Sequence, residues 1–537
     1  DILRGDWGFE GLVVSDWGGV SRRPETVAAG LDLEMPSSSG VGTKLILDAV
    51  AAGQLTEADV DLAATRVLTM VDRAQPALAA PATFDREAHH ALAREAATAS
   101  AVLLKNDGGL LPLDPTAGGG IAVIGEFART PRYQGAGSSQ VNPTQLDNTL
   151  DALRAALDGR REVAFAPGFV IESEDVDPAL VAEAVAAAAA ADVAVVFLGL
   201  PPSYESEGYD RDHMDLPANQ VSLLHAVADA NPRVVVVLSN GSAVTVAPWQ
   251  DRAPALLEAW LLGQAGGTAV ADLLLGAAEP SGRLAETIPV RCEDNPTVGA
   301  FPGEFGTVRY GEGLLIGYRW YDAHRLPVAY PFGHGLSYTT FEHRALTAEV
   351  VEDGAEPRVE VRVTVRNTGE RVGTETVQVY VSDPESTVYR PEQELRAFAR
   401  VALEPGQEET VTLTLGRRAF AFWHEDVDAW VVEGGVFGIR AGASSRDIRN
   451  ETTVELAGDN VVLPLRPDST ADAWLTHPEA GAWLRSVLTE EGIGAMLLDP
   501  HTSRMVAAIP LERLARFPGF PLDDRQIAEA VSKFNAA

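Results

Sequence analysis

The sequence predicts a multidomain protein of α/β plus β class, and three observations carry that reading. The chain has 537 residues, enough for three or four domains at roughly 150 residues each. From about Phe84 to Val290, short apolar runs alternate with helical patterns, as in a mostly parallel sheet covered by helices. From about His343 to Leu456, valines alternate with polar residues between turns, as in a β-sandwich.

The elements follow in chain order. Gly11-Leu-Val-Val-Ser15 is a continuous apolar run after a polar turn, the pattern of a short strand buried on both faces. Thr56 is a good N-cap, and Val60, Leu62, Ala63, Val67 and Leu68 fall near helical spacing, so a helix is expected to Arg73. Residues 1–73 hold too few elements for a domain and look like the end of one. Residues 74–83 are rich in Pro and Ala and are expected to be a linker. In 84–290, strands are expected at Gly120–Ile124, Val193–Leu198 and Val234–Leu238, and helices at Leu180–Ala191 and Gln220–Ala230. Residues 291–342, rich in Pro, Gly and aromatics, read as a connecting segment. In 343–456, Val359, Val361, Val363 and Val365 alternate with polar residues, as do Val377, Val379 and Val381. Residues 457–537 return to helical signals at Ala471–Leu488 and Asp523–Phe534, where Trp474 and Trp483 are expected to pack on the rest of the protein.

Composition excludes several function classes. Lys and Arg number 42 against 77 Asp and Glu, a net charge of −35. Nucleic acid and anionic membrane both need cationic footprints, so neither is expected as a partner. The apolar stretch Leu180–Leu200 is interrupted by Glu183 and Asp192, so no membrane helix is expected. The single cysteine, Cys292, has no partner for an internal disulfide. His89 and His90 adjoin without a metal-ligand pattern, and no cofactor motif is present. Gly135-Ala-Gly-Ser-Ser139 reads as a turn more readily than as a phosphate cradle.

Two carboxylate sites stand out. Asp16 follows the strand expected at Gly11–Ser15, where a parallel barrel places its catalytic groups; it could equally cap a helix. Trp17 beside it offers an apolar face suited to a sugar ring. The second site, Tyr204-Glu-Ser-Glu-Gly-Tyr-Asp-Arg211, follows a strand end. It reads either as a salt-bridged surface loop or as one of the functional loops that parallel sheets carry at that edge.

Longer motifs make the second alternative specific. Ile2-Leu-Arg-Gly-Asp-Trp-Gly-Phe-Glu-Gly-Leu-Val-Val-Ser-Asp-Trp-Gly-Gly19 resembles the nucleophile signature of family 3 glycoside hydrolases, and Gly30-Leu-Asp-Leu-Glu-Met-Pro36 resembles the segment after it. Leu103-Leu-Lys-Asn106, Leu110-Leu-Pro-Leu113, Trp260-Leu-Leu-Gly-Gln264 and Pro280-Ser-Gly-Arg-Leu284 resemble marks of that family's second domain. Gly317-Tyr-Arg-Trp-Tyr-Asp322 and Tyr330-Pro-Phe-Gly-His-Gly-Leu-Ser-Tyr338 resemble the approach to its fibronectin-type-III-like domain. Arg390-Pro391, Glu394-Leu395 and Gly442-Ala-Ser-Ser445 resemble marks inside it. The motifs cover about residues 1–450 in family order.

The resemblance implies the C-terminal part of a (β/α)8 barrel at 1–73, an α/β sandwich, a fibronectin-III-like β-sandwich and a helical C-terminal extension. It implies a retaining exo-β-glycosidase, a β-glucosidase first and a β-xylosidase or other exo-β-glycosidase second. Asp16 is then the nucleophile, Trp17 a wall of the sugar pocket, and Glu207 the acid/base, with Glu205 the competing choice. The glutamate loop argues against the branch that uses a barrel histidine. A non-catalytic carbohydrate-binding scaffold is the reading from another class. Glu207 is expected in a less polar setting than Asp16, or beside a negative neighbour, so that it can hold a proton. The substrate would be a small glycoside or oligosaccharide, with no cofactor or metal. The resemblance starts inside the barrel, so the rest of it, on the order of 200 residues, is expected on a separate chain or to have been cut away.

Overall fold

The computed structural model describes residues 2–80, 82–459, 461–489 and 491–535. Pro81, within the expected linker, lies outside the described residues, as do Asp1 and, in the C-terminal extension, Asn460, Glu490, Ala536 and Ala537. The chain divides into two compact units, Asp1–His89 and His90–Ala537.

The first unit holds helices α1 (Arg23–Ala28), α2 (Val41–Ala51) and α3 (Glu57–Ala79). Thr56 caps α3: its side chain accepts from the Asp59 N–H at 3.2 Å, and the Asp59 carboxylate accepts from the Thr56 N–H at 3.1 Å. The helix does not stop at Arg73 but runs through Pro76 to Ala79. Proline removes one hydrogen bond, while the alanines around it favour helix. The expected apolar face of α3 is not fully buried at any residue, and the unit's small core is Val27, Ala49 and Leu55. The segment Gly11–Ser15 is also not a buried strand. It forms one parallel bridge, Val14 with Leu33, and Val14 is half exposed. A strand buried on both faces needs a neighbour on each edge; among the described residues, the backbone–backbone hydrogen bonds of this segment run to Asp32 and Leu33 alone.

Helix α4 (Arg86–Ser100) spans the division between the units, and the second unit continues into a six-stranded sheet. Its strands are β1 (Val102–Asn106), β2 (Ile121–Ile124), β3 (Val163–Ala166), β4 (Val193–Gly199), β5 (Val234–Ser239) and β6 (Ala255–Glu258), in spatial order β1-β6-β5-β4-β2-β3. Only β1 runs antiparallel, against β6. Helices α5 (Thr149–Leu157), α6 (Pro178–Ala190) and α7 (Ala218–Ala230) form crossovers between its strands, and α8 (Gly266–Leu275) follows β6. Every residue of β4 is buried, as is nearly all of β5, which explains their unbroken apolar sequence. Ile288–Pro289 (β7) pairs with Val328–Tyr330 (β8), with α9 (Tyr318–Ala323) between them.

The sandwich has one sheet ordered β13-β10-β9 and one ordered β12-β11-β16-β17. The strands are β9 (Phe341–Glu352), β10 (Arg358–Asn367), β11 (Gly373–Ser382), β12 (Glu394–Leu403), β13 (Glu408–Leu415), β16 (Gly435–Ser444) and β17 (Asp447–Leu456); β14 (Phe422–His424) and β15 (Ala429–Val431) form a separate hairpin. The alternating valines of β10 and β11 are its core, as period-2 patterning requires.

The C-terminal residues form their own core rather than packing their tryptophans on the rest of the protein. Trp474 is fully buried among Leu484, Leu511, Leu514 and Ile527. Trp483 lies 5.9 Å from Trp474 and 5.6 Å from Phe534, centroid to centroid. The helix expected over Ala471–Leu488 is two, Ala471–Thr476 and Ala480–Val487. His477 precedes Pro478 and is therefore driven to extended backbone, at ψ 132°.

Trp474→Ala should cost this small core about 3–5 kcal/mol. In limited proteolysis the C-terminal 70 or so residues should then be degraded while the sandwich stays resistant; equal resistance of variant and parent would contradict the assignment of a separate core.

Candidate active site

The strand order of the six-stranded sheet contains one reversal. From β2 the chain steps outward to β3, then returns past β2 to β4 and continues to β5 and β6. The order reverses between β2 and β4, the position outside the strands' carboxyl ends at which open α/β sheets bind ligands. The β2 loop carries Gly135–Ser139 and the β4 loop carries Glu205 and Glu207.

Glu207 meets the small-residue loop directly. Its Oε2 accepts from the Ser138 N–H at 2.6 Å and from the Ser138 hydroxyl, and its own N–H donates to Ala136 O at 3.3 Å. Gly137 has φ +93°, and a Cβ there would lie 2.6 Å from the Glu207 Cβ. Both features demand glycine. The Gly135–Ser139 turn is therefore a carboxylate holder. The setting of Glu207 is the reverse of the expected less polar one. The side-chain and backbone bonds from Ser138 hold its carboxyl below the ordinary value, because they favour the charged form and the group is exposed.

Glu205 points elsewhere. Its carboxylate accepts from the Gly241 N–H at 2.8 Å and the Ser242 hydroxyl at 3.0 Å, tying the β4 loop to the β5 loop. Arg132, buried in the β2 loop, donates to Leu200 O at 2.9 Å and Glu205 O at 3.0 Å. Arg211 donates to Ala243 O at 2.8 Å. The loop is thus pinned to its neighbours rather than salt-bridged within itself.

Below these loops sits a residue that motif reading passed over. Glu258 ends β6 and is completely buried. It accepts from the Trp260 N–H at 3.0 Å and from Asn240 Nδ2 at 3.2 Å. Burial pushes its pKa up to about 8, with Glu286 and Glu205 adding to the rise. The available signal was a lone glutamate closing an apolar strand in Leu256-Leu-Glu-Ala-Trp260. His90 is tied to Asp147 at 3.0 Å and Gln264 at 2.9 Å.

In the first unit, Asp16 and Trp17 are both exposed. Asp16 caps no helix: its Oδ1 accepts from the Trp17 N–H at 2.6 Å, and the next helix begins at Arg23. The segment is positioned from beneath by buried Asp32. That carboxylate accepts from the Val13 N–H at 2.8 Å and pairs with Arg4 at 2.6 Å and Arg66 at 3.1 Å. Arg4 also donates to Gly11 O and Gly30 O, each at 3.0 Å. The Leu-Arg opening and the Gly-Leu-Asp string are therefore one clamp on the backbone leading to Asp16.

Comparison with known proteins places this geometry. Residues 1–70 match the Glycosyl hydrolase family 3 N terminal domain, 101–338 its C-terminal domain and 375–445 the Fibronectin type III-like domain. The chain is 47% identical over 513 residues to an exo-α-(1→6)-L-arabinopyranosidase of Bifidobacterium breve, covering 94% of this chain and 67% of that one. It is 42% identical over 543 residues to thermostable β-glucosidase B of Acetivibrio thermocellus, covering 100% and 71%. The solved structure of a Bifidobacterium adolescentis β-glucosidase superposes with a TM-score of 0.84 at 45% identity, covering 90% and 70%. These relatives are single chains, so the expectation that a separate chain supplies the rest of the barrel is not supported.

Glu258 gives a pH prediction. Its folded pKa lies above its ordinary value of 4.5, so its stability contribution is complete below that value and is lost as pH rises toward about 8. Glu258→Gln should remove that loss. The unfolding free energy of the variant should gain on the parent between pH 5 and 8, by an amount on the order of a few kcal/mol at the upper end, and its thermal midpoint should rise with it. Parallel midpoints across that range would refute the buried-acid assignment.

Proposed function

The chain belongs to glycoside hydrolase family 3, and on that premise we propose that it is a retaining exo-β-glycosidase, acting as a β-glucosidase through Asp16 and Glu207. The observation that carries the reading is the placement of Glu207 at the carboxyl edge of the sheet, gripped by the β2 loop at the strand-order reversal. Residues 1–73 serve as the C-terminal part of a (β/α)8 barrel; their match to the family's N terminal domain supports this. On the same reading 84–290 is the α/β sandwich domain, 291–342 the connection, 343–456 the fibronectin-III-like domain and 457–537 the helical extension.

Retaining hydrolysis needs the two carboxyls about 5–5.5 Å apart across the scissile bond. The Asp16 carboxylate attacks the anomeric carbon while Glu207 gives its proton to the leaving oxygen, and the aglycone departs as an alcohol. Glu207, now ionised, takes a proton from water as that water attacks the anomeric carbon and releases Asp16. The Ser138 donors favour the ionised form, which suits the second half. In the first half a bound sugar excludes water from the carboxyl, and desolvation raises its proton affinity. Trp17 supplies an apolar face to the sugar ring.

A second glycone reading has its own support, since the Bifidobacterium breve relative is an exo-α-(1→6)-L-arabinopyranosidase. Turnover of aryl β-D-glucoside against aryl α-L-arabinopyranoside separates the two. Faster arabinopyranoside hydrolysis would displace the glucosidase assignment, and failure on both would remove it.

Asp16→Ala should abolish turnover of an aryl β-D-glucoside, and near-normal activity would sink the nucleophile assignment. Glu207→Ala should lower turnover of substrates with poor leaving groups by about 10²–10⁴-fold, with partial azide rescue on an activated aryl glycoside. If Glu205→Ala shows that rescue instead, the acid/base is the wrong glutamate. Ser138→Ala removes one donor to Glu207, so the alkaline limb of the pH–rate profile should move to higher pH; an unmoved limb would show that Ser138 does not tune the acid.

A further inference from the structure

The β14–β15 hairpin of the sandwich and the segment around Tyr389–Arg396 wall a cleft of about 530 Å³. Its floor is aromatic. Trp423 and Trp430 meet edge to face at 5.6 Å between centroids, and the Arg418 guanidinium lies 3.4 Å from the centre of the Trp430 ring. Trp430 is thus covered by a cation, while Trp423 is 45% exposed and Tyr389 71% exposed.

The polar wall is cationic and short of acceptors. Glu394 is shared by three arginines: Arg396 at 2.5 Å, Arg319 at 3.2 Å and Arg390 at 3.7 Å. Arg390 is also held by Asp383 at 2.9 Å. Arg319 and Arg396 line the cleft with 23% of each side chain exposed, and their Nε–H groups are buried without a partner. Burial holds the Arg396 guanidinium below its ordinary value, and the neighbouring arginines add to this. Such a cluster is unexpected in a chain of net charge −35. Glu425 and Asp426 also line the cleft, and Asp426 is paired with Arg466 at 2.6 Å.

We propose that this cleft binds a uronic-acid sugar, its carboxylate received by Arg319 and Arg396 and its ring stacked on Trp423. Partly exposed guanidinium groups recognise carboxylates, and an exposed indole offers a flat apolar face to ring C–H groups. Glu425 accepts from ring hydroxyls. A neutral sugar leaves the arginines without an added acceptor, and a carboxylic acid without hydroxyls leaves Glu425 facing it unpaired. The cleft uses none of the residues assigned to hydrolysis.

Isothermal titration of the whole protein with sodium D-glucuronate tests this, with D-glucose and sodium benzoate as comparators. Glucuronate should bind saturably and at least tenfold tighter than either comparator. Trp423→Ala, at an exposed position, and Arg319→Gln, which removes a carboxylate donor, should each weaken it at least tenfold, and Trp423→Ala should do so without changing the thermal midpoint or the rate on an aryl β-D-glucoside. Asp16→Ala should leave it unchanged, which separates this cleft from the hydrolytic site. Absence of glucuronate binding, binding of glucose or benzoate that is equally tight and equally lost in Trp423→Ala, or indifference of glucuronate binding to both cleft substitutions would overturn the proposal.

Discussion

The reversal of strand order between β2 and β4 is the constraint on which the second unit's chemistry depends. Parallel strands joined by right-handed crossovers send successive loops to one edge, and open α/β sheets use the loops of that edge at the point where the order reverses. Glu207 is where it is because β4 ends at Gly199 and its loop turns toward the β2 loop. Close approach then decides the local chemistry. Gly137 lets the backbone reach the glutamate, and Ser138 supplies the donors that set its charge.

The acids around this edge behave differently because their solvation differs. Glu207 is exposed and hydrogen-bonded, so its charged form is favoured. Glu258 is sealed beneath the loops, so its neutral form is favoured despite two donors. Glu205 lies between them and serves as a tie between loops. Glu375 shows how much partners matter. Burial pushes its carboxyl up, yet His343 at 2.9 Å and Arg283 at 3.0 Å bring it below the ordinary value. Through Arg283 that network joins the segment after α8 to the sandwich. Gly282 next to it admits no side chain, since a Cβ would lie 2.5 Å from Ala101 O.

Much of the architecture was legible in the sequence. The apolar runs at β2, β4 and β5 and the valine alternation of β10 and β11 are period signals, and burial enforces them. The short strands β1, β3 and β6 were less visible: β1 ends in Lys105-Asn106 and β6 in Glu258, so neither reads as a clean apolar run. The break at His477 is a local proline effect, and only the single helical pattern around it obscured it.

The sequence by itself determined the α/β plus β fold class and the family resemblance, and it singled out Asp16 and Glu207, because strand and helix periods and contiguous motifs are local properties of the chain. Tertiary structure decided what surrounds them. It placed the Gly135–Ser139 turn against a glutamate about 70 residues away, buried Glu258 below the site, and gave Trp474 and Trp483 a core of their own. It also reversed the expected setting of Glu207. A side chain's charge state depends on the donors and solvent that folding brings to it from distant segments, and no pattern along the chain encodes that directly.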